Sequence, residues 1–359
     1  MKKLLVLSTA LVAAGSTAWA AGEVTVMSWG GAYTKSQVEA YHKPFTAATG
    51  ITVTSVDASN PATPIKAQVE AGNVTIDVAD VELSDAISLC DEGLIEVIDP
   101  SILTPAPDGT PAMDDFLPGT IHDCAVANIV WTTLVAFDTT VFPEAAPSTL
   151  ADFFDLETYP GKRGMRKAAK ATLEMALMAD GVPAGEVYES LETDEGVDRA
   201  FAKLDTIKDE VVWWEAGAQP PQLLADGEVA MTVVWNGRIF NAIAAEGKPF
   251  ELIWDGQIYD LDLFVIPKGA PNKEAALDFI SFSTATEQLA AQASWIPYGP
   301  ARASSIAQIG TFHDNPEIQM ADHMPTAPAN LTNALQNDFE FWADRNVELS
   351  ERFNAWLAN

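Results

Sequence analysis

Between residues 23 and 93 the chain alternates between a two-residue and a helical rhythm, and this restricts the fold more than any other feature. Glu23-Val24-Thr25-Val26-Met27-Ser28-Trp29 alternates and predicts a strand that ends in the turn Gly30-Gly31-Ala32-Tyr33. Thr34 is placed to cap a helix over 35–48, which Gly50 stops. Strands over 51–56 and 76–81, with helices over 64–71 and 84–92, complete a β-α-β-α-β unit closed by Gly93. Such a unit implies a parallel sheet with helices on its faces.

The rest of the chain returns to the same pattern. Residues 129–137 form a long apolar run, suited to a strand that crosses between two lobes. Ser148 reads as the cap of a helix over 150–156. Helices over 172–179, 194–207 and 219–225 alternate with strands over 211–214 and 229–235. The turn Asn236-Gly237 leads to a helix over 238–245, and 259–266 is an apolar-rich strand. Helices over 272–283 and 286–293 precede a mostly helical C-terminal stretch, 330–357. A chain of 359 residues usually exceeds one core. The expected division is one lobe of 21–136 plus 259–305 and a second of 137–258 plus 306–359. Ligands in open α/β sheets sit beyond the carboxyl ends of the strands, so two such lobes make an interlobe cleft that closes by hinge bending.

Residues 1–20 read as a secretory signal rather than as fold. Met1-Lys2-Lys3 is basic, 4–14 is an apolar run too short to span a bilayer, and Ala18-Trp19-Ala20 fits signal-peptidase cleavage. The expected localisation is therefore periplasmic. The net charge of −31 becomes −33 once Lys2 and Lys3 are removed, and a surface of that sign repels nucleic acid. The 48% of apolar residues and ten Trp argue for a packed core rather than disorder. The two cysteines, Cys90 and Cys124, are an even count in an exported chain and predict a disulfide.

A set of short motifs then carries a resemblance. Ser28-Trp29-Gly30-Gly31-Ala32-Tyr33, Pro44-Phe45-Thr46-Ala47-Ala48-Thr49-Gly50-Ile51, Val234-Trp235-Asn236-Gly237-Arg238, the run from Val265 to Asn272 and Ile296-Pro297-Tyr298-Gly299-Pro300 occur in order. In these the chain resembles periplasmic solute-binding proteins of ABC importers, and among them the spermidine/putrescine-binding branch. The resemblance implies an α/β, two-lobe type II periplasmic binding protein fold. It also implies an inner-membrane permease and ATPase as partners; a monomer with no cofactor and no catalysis is the expectation.

A polyamine needs aromatic walls for its methylenes and carboxylates for its ammonium groups. By resemblance, Trp29, Tyr33, Trp235 and Tyr298 supply the walls and Asp262 the carboxylate. Glu82 and Glu215, each just beyond a strand, are further rim candidates. Each has a structural alternative: core packing for the aromatics, a salt bridge to a lysine for Asp262.

Two departures from that branch point elsewhere. Lys162, Arg163, Arg166, Lys167 and Lys170 crowd the stretch where polyamine binders carry acids, and Asp260 stands where a Trp is expected. Either these cations point outward, or they face the cleft and the ligand carries negative charge too. Arg238 could hold a carboxylate bidentately or lie on a solvated helix face. Asp262 for an amine with Arg238 for an acid would suit an amino acid, an opine or an aminobutyrate. A sensory binding module is the other alternative. His42, His122, His313 and His323 are scattered, and no Gly-x-Ser-x-Gly, Walker or Gly-x-Gly-x-x-Gly motif occurs.

Overall fold

The computed structural model describes residues 22–358. The expected signal segment, 1–20, lies outside the described residues. Eight strands make the main path of the sheet: β1 (Glu23–Ser28), β2 (Thr52–Asp57), β3 (Val78–Glu82), β4 (Ala125–Asp138), β5 (Arg163–Arg166), β6 (Val211–Trp214), β7 (Met231–Trp235) and β8 (Phe250–Val265). Their spatial order is β2-β1-β3-β8-β4-β7-β5-β6. The expected parallel pairing holds at both ends, where β1 lies between β2 and β3, and β5 between β6 and β7. In the middle, β8 and β4 run antiparallel to their neighbours.

β4 and β8 are 14 and 16 residues long, enough to serve two lobes in turn. Along β4, Val126 and Ala127 pack into one core with Val24, Val78, Leu263 and Phe279. Val135 and Phe137, ten residues on, pack into another with Phe153, Leu173, Met231 and Trp342. Between these cores Ile129 and Trp131 join a third, aromatic cluster of Trp29, Tyr33, Trp214, Trp235, Ile296 and Tyr298. The fold is thus the two-lobe type II arrangement expected, with the aromatic cluster at the seam.

The local expectations that fail do so for identifiable reasons. The first helix begins at Gly31 and not at residue 35. Gly30 takes φ 72°, open to glycine, and its N–H donates to the Thr34 hydroxyl from outside the helix. The helix then loosens into a π segment, Val38–His42, before Lys43–Thr49 ends at Gly50 in the left-handed region. The cap of Leu150–Phe154 is Thr149 rather than Ser148, in a reciprocal capping box with Asp152. Asn236-Gly237 is no turn, because the helix Asn236–Ala244 starts directly after β7. β8 starts nine residues before the expected strand, since its first half is interrupted by charged and polar residues. The C-terminal stretch is helical only over Phe339–Leu357.

Cys90 and Cys124 form the expected disulfide, at an S–S distance of 2.03 Å. It joins the helix Leu83–Asp91 to the segment that enters β4. Closing a 34-residue separation stabilises a chain by about 3–4 kcal/mol in the loop-entropy account. Reduction, or a Cys90→Ser/Cys124→Ser variant, should lower the unfolding free energy by that amount in a urea titration followed by circular dichroism.

Candidate ligand-binding cleft

Three strand ends and two helix starts meet at the seam. Trp29 follows β1, Glu82 ends β3, Trp235 ends β7 and Asp262 lies inside β8. Tyr33 comes from the helix Gly31–Gln37 and Arg238 from Asn236–Ala244. With Tyr298 these line one cavity. Seven of the eight candidates are therefore brought together, and Glu215 is the exception. The eighth lining residue, Trp131, was missed because an apolar strand gives no sign of which residue faces the seam. Its partner across the β4–β8 ladder is Asp260, and that of Ile129 is Asp262.

Trp235 organises the aromatic wall. Its ring meets Trp29, Trp131 and Trp214 edge to face at centroid distances of 5.7, 5.8 and 5.5 Å. Tyr33 meets Tyr298 in the same way at 5.2 Å. Two glycines make room: a Cβ at Gly217 would overlap the Trp235 ring, and one at Gly237 would overlap Ile296 and Tyr298. The indole N–H groups of Trp29, Trp131 and Trp235 have no hydrogen-bond partner among the described residues.

The carboxylates differ sharply. Glu82 Oε1 accepts from Arg166 Nη1 at 3.1 Å, and Oε2 pairs with Lys170 Nζ. Burial alone would raise the Glu82 pKa, but Lys170 and Arg166 outweigh it and hold it at about 2. Asp262 has no ion-pair partner among the described residues, and its Oδ1 has no hydrogen bond. Burial, followed by the charges of Asp80, Glu82 and Asp260, pushes its pKa well above the usual carboxylate range. The Trp131 indole lies near enough to ease that charge without reaching hydrogen-bond geometry. The lysine salt bridge considered for Asp262 is thus not made. Lys170 is instead committed to Glu82, with Asp260 at 3.9 Å.

Asp80 lies behind the cavity and accepts from Tyr33 Oη at 2.7 Å, from Asn128 Nδ2 at 3.0 Å and from Gln37 Nε2. Burial still pushes it up to about 7, and does the same to Asp260. The Tyr33 hydroxyl is therefore tied to the lobe, and its ring is what faces the cavity.

Arg238 is not on a solvated face. It is buried, its Nη1 donates to Gly30 O and its Nη2 to Trp29 O at 3.1 Å, so it ties the second lobe to the first. That spends two of five guanidinium donors, and Nε has no partner among the described residues.

The basic run splits by position. Arg163 is fully buried and donates to four backbone carbonyls, those of Phe153, Asp155, Gly161 and Tyr159. Lys162 is exposed, and Lys167 pairs on the surface with Glu215, which takes no part in the cavity. Arg166 and Lys170 turn toward the seam, where both pair with Glu82, and line a space next to the cavity rather than the cavity itself. Among the described residues no group of three or more His, Cys, Asp or Glu is placed to hold a metal.

The profile of the family described as "Bacterial extracellular solute-binding protein" matches residues 40–326. The gamma-aminobutyric acid-binding protein of Pseudomonas aeruginosa is 44% identical over 335 residues, 93% of this chain and 91% of that one. The spermidine/putrescine-binding periplasmic protein of Salmonella typhimurium is more distant, 30% identical over 196 residues and 53% of each chain. Among solved structures, the PBP MotA from A. tumefaciens B6 in complex with glucopine superposes with a TM-score of 0.84. It is 32% identical and covers 93% of this chain and 99% of that one. The chain belongs to the bacterial extracellular solute-binding protein family.

Proposed function

We propose that this chain is the binding component of an ABC importer and captures a small zwitterion with a terminal ammonium and a carboxylate, of the γ-aminobutyrate type. The observation that carries this is one cavity holding both a buried unpaired carboxylate, Asp262, and a guanidinium with donors to spare, Arg238. An ammonium on Asp262 satisfies the orphaned oxygen, and a carboxylate can draw on Arg238 and the free indole N–H groups. The methylenes between them lie against the Trp29, Trp131 and Trp235 rings. The likeness to a gamma-aminobutyric acid-binding protein supports this reading over the polyamine one, which has only one open carboxylate to work with. Trp29, Tyr33 and Arg238 come from opposite sides of the seam, so a bridging ligand stabilises the closed arrangement by population shift.

Thermal unfolding against γ-aminobutyrate, other amino acids, opines, putrescine and spermidine tests the class. A ligand at a hundred times its Kd adds about 2.7 kcal/mol. A shift with γ-aminobutyrate and none with the diamines is expected, and a shift with diamines alone overturns the reading.

Asp262→Asn should weaken zwitterion binding by roughly 30-fold or more, since a buried charge pair truncated on one side costs about 2–5 kcal/mol. Without ligand the same variant should be more stable at neutral pH, because a raised pKa marks a charge that folding disfavours. Calorimetric titration and unfolding read these two opposite signs.

Stability of the ligand-free protein should also depend on pH. Asp80 and Asp260 bind protons more tightly folded, at about 7, than unfolded, at about 4. Their contribution is full below about 4 and is lost as the pH rises through about 7. Glu82, held at about 2, is already ionised across this window. Affinity for an ammonium should move the other way, strengthening with rising pH as Asp262 loses its proton. Unfolding midpoints between pH 4 and 8, with and without ligand, check both trends.

A further inference from the structure

Glu82 ends β3 in the first lobe, stands opposite Asp262 in the β3–β8 ladder and is 2% exposed. A second carboxylate beside Asp262 is what a second ligand ammonium would seek. Both its oxygens are nevertheless taken by the other lobe, by Arg166 at the end of β5 and by Lys170 just beyond it. The Arg166 guanidinium also stands 5.1 Å from the Trp235 ring centroid and 5.8 Å from that of Trp29. The protein's own cation thus occupies both places, ion pair and aromatic face, that an organic ammonium would use.

The position of Lys170 is built as firmly. Its Nζ donates to Ser84 Oγ at 2.7 Å as well as pairing with Glu82. The next residue, Ala171, has φ 67° and is the one non-glycine residue with positive φ among those described. A side chain held in that region marks a conformation imposed by its surroundings. On the far side of Arg166 a second space of about 580 Å³ opens, lined also by Lys167, Lys170 and Asn346.

We propose that Arg166 and Lys170 are specificity determinants that exclude diamines by acting as a built-in second ammonium, so that Glu82 is spent on the protein and Asp262 alone is open to a ligand. The proposal deepens the zwitterion reading and rests on it for the native ligand. A diamine can place one end on Asp262, but its other end meets Arg166, and like charges in a buried site repel. A zwitterion carries no second ammonium and meets no such repulsion.

The test is calorimetric titration of the full chain and of its Arg166→Gln, Lys170→Met and doubly substituted forms with putrescine and γ-aminobutyrate, folding being checked by circular dichroism. The parent should take no putrescine at a thousand times the γ-aminobutyrate concentration that saturates it. The double variant should bind putrescine with a gain of on the order of tenfold or more, and adding Glu82→Gln should abolish that gain. Arg166→Gln alone keeps Lys170 on Glu82 and should show a smaller gain, which remains readable if the double variant fails to fold. Putrescine binding by the parent as tight as that of γ-aminobutyrate overturns the proposal, as does a folded Arg166→Gln or double variant without any gain. A parent that binds neither compound, beside a variant that gains putrescine, sinks the zwitterion reading and leaves this one standing.

Discussion

The antiparallel ladder between β4 and β8 is the constraint on which the rest depends. The parallel strands of the two lobes are joined into one sheet through these two strands, and both continue from one hydrophobic core into the other. At the middle of the ladder the side chains belong to neither core. Apolar residues there would weld the lobes into one. The chain instead places Asp260, Asp262 and Trp131 at this point, so the seam stays polar and is walled by aromatic rings. Register shifts between Ala127 and Ile129 and between Thr133 and Val135 bracket the same stretch. A ladder interrupted on either side of the cavity is also one that bends there.

Buried charge is costly, and the cleft carries an unusual amount of it. Glu82 is offset by two cations, and Arg238 is held by two backbone carbonyls. Asp262 is left with neither. The site can be understood as one cavity carboxylate left short of a partner beside another, Glu82, that the protein satisfies itself. Selectivity then comes from which charges the protein satisfies itself.

Much of this was legible from the sequence where one residue type in one local pattern suffices. The strand-then-aromatic pattern at Trp29 and Trp235 and the carboxylate inside the apolar run at Asp262 led to residues that line one cavity, and the cysteine count led to the disulfide. What stayed hidden depends on contacts between distant segments. Arg163 and Arg166 are three residues apart in one basic run, yet one braces a loop and the other pairs with Glu82 at the seam. Strand β5, of which they are the first and last residues, has only four residues and follows Gly161, so it gave no periodic signal. Trp131 was hidden for the same reason: only the register with β8 shows where it faces. The preference for a diamine came from resemblance in the aromatic motifs, whereas the charges that argue against it lie in the basic stretch 162–170, one of the two places where this chain departs from that branch.

The discontinuity of the first lobe bears on the order of assembly. β3 is paired on its outer side by residues 262–265, which are made long after it. A chain emerging from N to C terminus therefore holds β1, β2 and β3 with one edge of the sheet open while the whole central part of the second lobe is still to come. Contacts of such large sequence separation form late and slowly. The Cys90–Cys124 bond spans only local sequence and ties the helix after β3 to the entry of β4 before that partner arrives. It therefore holds a half-built lobe together during the interval in which its exposed edge is most open to pairing with another chain.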